Sequence, residues 1–156
     1  MKESLLYEVV PEYTVMISGI EWLFIATNAH VLGVIYRPPS GPLELFYDAF
    51  NAILEDLSTT KKQVVVMGDI NINLLQVSSL NTEFLNTVHV NGFTNLIDIP
   101  TRITSHSETL LDLCLTNCEK EDTMAGVFTS DISDHLPLFC FIPRLIEHKT
   151  HALCST

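Results

Sequence analysis

Residues Gln63 to Leu75 constrain the fold more than any other stretch, because Val64-Val65-Val66-Met67 runs into Gly68-Asp69-Ile70-Asn71-Ile72-Asn73. Four consecutive apolar residues, three of them β-branched, suit a strand covered on both faces, as in the middle of an α/β sheet. Such strands aim their carboxyl ends at ligands. Gly68 lets the backbone turn without a Cβ, and Asp69 and Asn71, two residues apart in a chain still extended, are expected on one side. A carboxylate and an amide that converge can hold a hard cation, or a water beside a phosphate. An Asx-turn that merely closes the strand is the plainer alternative.

With 156 residues, 47% of them hydrophobic, the chain suits one domain with a substantial core. The periodic pattern holds over residues 1–142 and is lost over 143–156, which reads as a tail. No apolar run reaches the length of a membrane span, and Met1-Lys2-Glu3-Ser4 leads into no signal-peptide core. The expectation is an intracellular protein of nucleus or cytoplasm, neither secreted nor membrane-bound. Cys114, Cys118, Cys140 and Cys154 form no CxxC pair, so reduced and mostly buried thiols are expected. The net charge of −11 repels a polyanion and argues against a simple nucleic-acid binding module. It leaves room for a metal-dependent nuclease, since a bound cation reverses the sign of a carboxylate cluster locally.

Upstream of the valine run, the apolar segments Tyr13–Ile17, Ile20–Ala26 and Val31–Tyr36 are separated by Ser18-Gly19 and Asn28-Ala29-His30. They read as an antiparallel meander. Glu3, Glu8, Glu12 and Glu21 fall at solvent-facing positions. Arg37-Pro38-Pro39-Ser40-Gly41-Pro42 must be a rigid loop, with Tyr36 and Arg37 at its mouth. From Pro42 as first helical position, Leu43, Phe46, Tyr47, Phe50, Ile53, Leu54 and Leu57 recur at helical spacing, predicting an amphipathic helix over the sheet. A second helix is expected over about Ser79–Val90, with Leu80, Phe84, Leu85 and Val88 inward and Gly92 as its stop. Strands are predicted over Phe93–Ile99, Thr109–Thr116, Met124–Thr129 and Leu136–Ile142. Asp112 lies inside one of these apolar runs, where a carboxylate is costly unless paired. His135, after Asp134 at a loop-to-strand junction, suits a metal ligand, a base, a phosphate-binding cation or a surface turn.

In their order along the chain, Gly68-Asp69-Ile70-Asn71, the Asp112 strand and Ser133-Asp134-His135 resemble the endonuclease/exonuclease/phosphatase (DNase I-like) superfamily. Gly33-Val34-Ile35-Tyr36-Arg37-Pro38-Pro39, and Pro100-Thr101-Arg102 followed by Ser107 and Leu111-Asp112, resemble its non-LTR (LINE-type) retrotransposon endonuclease branch. The resemblance implies an α/β sandwich of two packed sheets flanked by helices. It further implies that Asp69 orients or deprotonates the attacking water, with Asn71 beside it on phosphate or metal. Asp112 would hold His135 and fix its tautomer, and His135 would stabilise charge on phosphoryl oxygens. Asp134 would lie next to the divalent cation, Mg²⁺ or Mn²⁺, and Tyr36 would contact the phosphate. Arg37, Thr101 and Arg102 would face DNA.

One departure limits the resemblance. Complete members carry an earlier strand-helix-strand portion with an Asn and a principal metal-ligand Glu, and no glutamate here sits in a matching motif. The sandwich is therefore expected to lack its first strands, and a reverse-transcriptase domain, expected in a complete element protein, is absent from this sequence. Three functions follow: a Mg²⁺-dependent DNA endonuclease that nicks one strand and is impaired by truncation, an inactive remnant or interaction domain, and a phosphatase of the same superfamily.

Overall fold

The computed structural model describes residues 6–119 and 123–142. Glu3, Cys154 and the tail expected over 143–156 lie outside them. The strands are β1 (Glu8–Val9), β2 (Val15–Ile17), β3 (Ile20–Ala26), β4 (His30–Tyr36), β5 (Gln63–Asp69), β6 (Thr94–Asn95), β7 (Arg102–Ile103), β8 (Glu108–Thr109), β9 (Asp112–Thr116), β10 (Met124–Val127) and β11 (Leu138–Phe141). Two helices accompany them, α1 (Leu43–Ser58) and α2 (Ser79–Val90).

The valine run forms the middle of the main sheet, whose order is β1-β3-β4-β5-β9-β6, with β2 also paired to β3. The predicted meander is present: β2, β3 and β4 are antiparallel neighbours, and Ser18 and Gly19 turn between the first two at φ 53° and 79°. β4 and β5 are parallel. Parallel neighbours need a long crossover, which the loop after Tyr36 and α1 provide. On the other side of β5, β9 runs antiparallel.

Strand alternation divides the side chains between two cores. Val64, Val66, Leu113, Leu115 and Ile35 face the helices, in one cluster with Phe46, Phe50, Leu54, Leu57, Phe84 and Val88. Trp22 of β3 meets Phe46 and Phe50 edge-on at 5.7 and 6.2 Å, and Phe50 stacks on Phe84 of α2 at 5.3 Å. The aromatic stripe of α1 thus joins sheet to second helix, each fully buried ring contributing about 1.5–3 kcal/mol. On the opposite face Val65 and Cys114 pack with Ala125, Val127, Leu138 and Cys140 of the antiparallel β10–β11 hairpin. The result is two packed sheets with helices on the outside of one. Beside the hairpin, Val9, Leu23 and Val34 stand exposed on that second face.

Several details differ from expectation. α1 starts at Leu43, because Pro42 keeps an extended ψ of 122° and serves as its cap. Within α2, Leu85 is exposed, while Asn81 is buried and its amide donates to the carbonyls of Asn73 and Gln76. The predicted strand over Phe93–Ile99 forms a regular ladder only at Thr94–Asn95, with one further backbone bond from Leu96 N–H to the Cys114 carbonyl, before the Asn95 side chain bonds the Ile97 backbone. Among the described cysteines, Cys114, Cys118 and Cys140 are free.

Gly68 does not turn the chain as expected; it lets β5 approach β4. Its φ is +149°, and a Cβ there would lie 1.8 Å from the Ile35 carbonyl oxygen. Gly92, after α2, has φ +78° with nothing within 4 Å of a Cβ. Gly92→Ala should therefore cost only the backbone penalty of about 1 kcal/mol, and Gly68→Ala about 2 kcal/mol or more because two central strands must separate. Equilibrium urea unfolding checks the ranking, and equal losses would contradict the close approach.

Candidate active site

Three adjacent strands end in one row. In the register Tyr36 of β4 pairs with Asp69 of β5, and Asp69 pairs with Asp112 of β9. Residues directly opposite one another share a face, so all three side chains project from the face that carries the hairpin, away from the helices. Tyr36 is 40% exposed, and both carboxylates are half-buried.

Asp69 is clamped from one neighbour. The Asn71 backbone N–H donates to Asp69 Oδ1 at 2.9 Å and the Asn71 Nδ2 to Oδ2 at 3.0 Å. That geometry needs Asn71 in the left-handed region, at φ 49°, which Asn tolerates better than other side chains. The expected extended chain is absent, and Asn71 reaches Asp69 by folding back. Burial raises the pKa of Asp69 most, the Asn71 backbone bond lowers it, the charge of Asp112 raises it, and the His135 and Asn71 side chains lower it; the net shift is upward.

Asp112 accepts two hydrogen bonds on Oδ2, from Thr101 Oγ1 at 2.7 Å and from His135 Nδ1 at 3.0 Å. The apolar strand holds a carboxylate because it is paired on arrival. His135 is delivered by backbone zipping: Ile103 N–H donates to Asp134 O at 2.9 Å, Leu136 N–H to Thr101 O at 2.7 Å, and Arg102 bridges His135. The short β7 strand thereby fixes the imidazole over Asp112.

Three expected roles need correction. Arg37 is buried rather than DNA-facing: its guanidinium donates to the carbonyls of Ile70 at 2.9 Å, Asn71 at 3.3 Å and Gly41 at 2.9 Å, and lies 6.0 Å from the Phe46 ring centre. Desolvation lowers its pKa, yet the carbonyl dipoles compensate the charge while it ties the proline-rich loop to the Asp69 turn. Thr101 is fully buried against Asp112. Asp134 turns outward to Arg102, Nε to Oδ2 2.8 Å, which lowers its pKa. It does not join the cluster. Half-exposed Arg102 stands at the rim, spent on this ion pair. The positioning roles of Arg37 and Thr101 were hidden from sequence because both depend on carbonyls and carboxylates far along the chain.

Among the described residues, the group able to hold a metal ion is Asp69, Asp112 and His135, with one ligand atom from each within 4.8 Å of the others. Two carboxylates suit a hard cation, whereas imidazole suits softer ions, and His135 Nδ1 is engaged by Asp112. The donor chemistry therefore fits a divalent cation held by Asp69 and Asp112, which would also relieve their mutual repulsion.

A pH dependence follows from Asp69. Because its pKa is raised above the ordinary 3.8, the native state holds this proton more tightly than the unfolded chain. The associated stability is fully present below the ordinary value and is lost as pH rises through the folded value. Wild type should lose stability relative to Asp69→Asn across that window and keep a constant difference above it. Thermal melts stepped from acid to neutral pH, read as the slope of the difference, check this; parallel curves would refute it.

A family model described as endonuclease-reverse transcriptase matches residues 31–139, a span that includes every residue of the row and His135. Among solved structures the chain is similar to the endonuclease domain of TRAS1, a telomere-specific non-LTR retrotransposon, at 18% identity and TM-score 0.67, covering 90% of this chain and 68% of that one. It is also similar to an endonuclease/exonuclease/phosphatase family protein from Leptotrichia buccalis (14%, TM-score 0.54, 91% of this chain and 62% of that). A third likeness is to cytolethal distending toxin from Actinobacillus actinomycetemcomitans (15%, TM-score 0.53, 91% and 59%). At these identities the likeness is one of fold, and the chain spans 59–68% of the matched chains. Nothing matches among curated protein sequences. The family match and the shared DNase I-like fold together make the chain a member of the endonuclease-reverse transcriptase family, within the endonuclease/exonuclease/phosphatase superfamily.

Proposed function

We propose that the chain is a divalent-cation-dependent phosphodiesterase that nicks one strand of DNA, part of a retrotransposon-derived polypeptide acting in the nucleus or cytoplasm. The observation that carries this reading is the apposition of Asp69 and Asp112 on adjacent strands with His135 bonded to Asp112. Membership of the family and the fold shared with a retrotransposon endonuclease domain favour DNA over a small phosphate ester.

Asp69 orients the attacking water and accepts its proton; burial raises its pKa above the ordinary carboxylate value, the direction that strengthens it as a base. His135, steadied by Asp112, meets a phosphoryl oxygen through Nε2, and Tyr36 offers its hydroxyl from the same row. Asp69 and Asp112 would hold the cation, Mg²⁺ or Mn²⁺. When bound, that ion supplies Lewis-acid stabilisation to the phosphoryl group. A chain of net charge −11 gains little from long-range attraction to DNA, and a cation held by the two carboxylates would offset that charge locally.

Slow turnover is expected, because no glutamate among the described residues joins the cluster. In a supercoiled-plasmid assay with Mg²⁺, the chain should nick slowly and stop when the metal is chelated. Asp69→Ala and His135→Ala should each lower the rate by about 10²-fold or more, with circular dichroism unchanged. Nicking that survives both substitutions would sink the assignment.

A further inference from the structure

The helical layer, on the far side of the main sheet from the row of Tyr36, Asp69 and Asp112, is acidic. Residues 43–60 and 79–90 carry Glu44, Asp48, Glu55, Asp56 and Glu83, and neither lysine nor arginine. Asp56 accepts the Tyr13 hydroxyl and Glu55 the Asn51 amide at 2.8 Å, and among the described residues none of the five carboxylates is in an ion pair. Two cavities follow the seam between α1 and α2. One, of about 540 Å³, is lined by residues that include Asn51, Glu55, Glu83, Asn86, Thr87 and Asn91, and its size falls within the usual range for ligand sites. The other, of about 250 Å³, reaches Tyr47, Asp48 and Phe84 and shares Asn51, Glu83 and Thr87 with the first.

Tyr47 supplies an independent sign of a missing partner. Its hydroxyl is covered from water and has no hydrogen-bond partner, so an acceptor carried in by a ligand gains more there than at an exposed group. Its ring stands 5.8 Å from that of Phe84 at 42°, and aromatic surface beside the carboxylates of Asp48 and Glu83 suits a cation. The Asn and Thr side chains of the larger cavity offer both donors and acceptors, which an extended main chain requires. Nucleic acid, a polyanion, is repelled from such a surface. We propose that the seam between α1 and α2 is a docking site for a basic polypeptide segment. A lysine or arginine enters the smaller cavity beside Tyr47, Asp48 and Glu83, a main-chain carbonyl takes up the Tyr47 hydroxyl, and the segment continues along the larger cavity. A partner held on this face leaves the Asp69–Asp112 row, on the opposite face, open to substrate.

The experiment is a fluorescence-anisotropy titration of the whole chain against a fluorescein-labelled octapeptide of alternating lysine and glycine. It is run at about 0.15 M salt, where attraction between distant exposed charges is screened. The same peptide with glutamate for lysine is the control for sign. The lysine peptide should bind saturably and the glutamate peptide should not. Asp48→Asn and Glu83→Gln should each weaken binding about threefold or more, and Tyr47→Phe about threefold at unchanged net charge. Glu21→Gln removes an equal charge from an exposed position of β3 on the Tyr36 face of the sheet, and should leave binding unchanged. Amide NMR shifts during the titration should centre on Asn51, Thr87 and Asn91. Three results would overturn the proposal: no saturable binding up to about 1 mM peptide, equal weakening by Glu21→Gln and Glu83→Gln, which marks attraction to net charge alone, or shifts centred on the Asp69–Asp112 row. None of these readouts needs nuclease activity, so failure of the phosphodiesterase reading leaves this one standing, and the reverse holds too.

Discussion

Asp69 and Asp112 face each other across the β5–β9 pair, and much of the surrounding structure is arranged to tolerate that apposition. Like charges directly opposite on neighbouring strands are destabilising, and half-burial makes the repulsion stronger than it would be in water. Each carboxylate is therefore met by donors: Asn71 on both oxygens of Asp69, Thr101 and His135 on one oxygen of Asp112. The pKa of Asp69 is still raised, by burial first and by the charge of Asp112 second among the raising causes. A site that stores such strain gains from any ligand that brings positive charge.

The support behind the site is built from backbone carbonyls held by one buried cation. Arg37 reaches across the proline-rich loop and gathers the carbonyls of Gly41, Ile70 and Asn71. Its rigid planar fork aims two nitrogens at oxygens on two separate turns, where a lysine would offer a single point charge on a flexible stem. The turn after β5 is thereby locked to the turn after β4, and the left-handed Asn71 is held where its amide meets Asp69. On the far side of the row the β7 ladder does the same for His135. The geometry of the site thus rests on two ties to rigid strands rather than on a free loop.

The division of the main sheet into two faces explains why these polar groups do not compromise the core. Helices cover one face with aromatic packing, and the carboxylates emerge only at strand ends on the other, beyond the apolar layer of Val65, Cys114 and the hairpin. Asp134 lies outside this scheme. It pairs with Arg102, and among the described residues it stands outside the group formed by Asp69, Asp112 and His135.

Sequence alone determined the elements whose signal is local. The valine run, the Ser18-Gly19 hairpin, α1, the limits of α2 and the order of Asp69, Asp112 and His135 could be read because β-branching, helical periodicity and turn chemistry act over a few residues. Leu85, taken as core, is exposed, because a helix with a narrow buried stripe leaves its flanking apolar positions in solvent. Tertiary structure alone decided the site's wiring. Register placed Asp69 opposite Asp112, which depends on how two strands 43 residues apart align. Thr101 and Arg37, read as DNA contacts from their loops, became buried positioning groups because hydrogen-bond partners 11 and 33 residues away drew them inward. Such partners leave no periodic mark on the chain, so only folding discloses them.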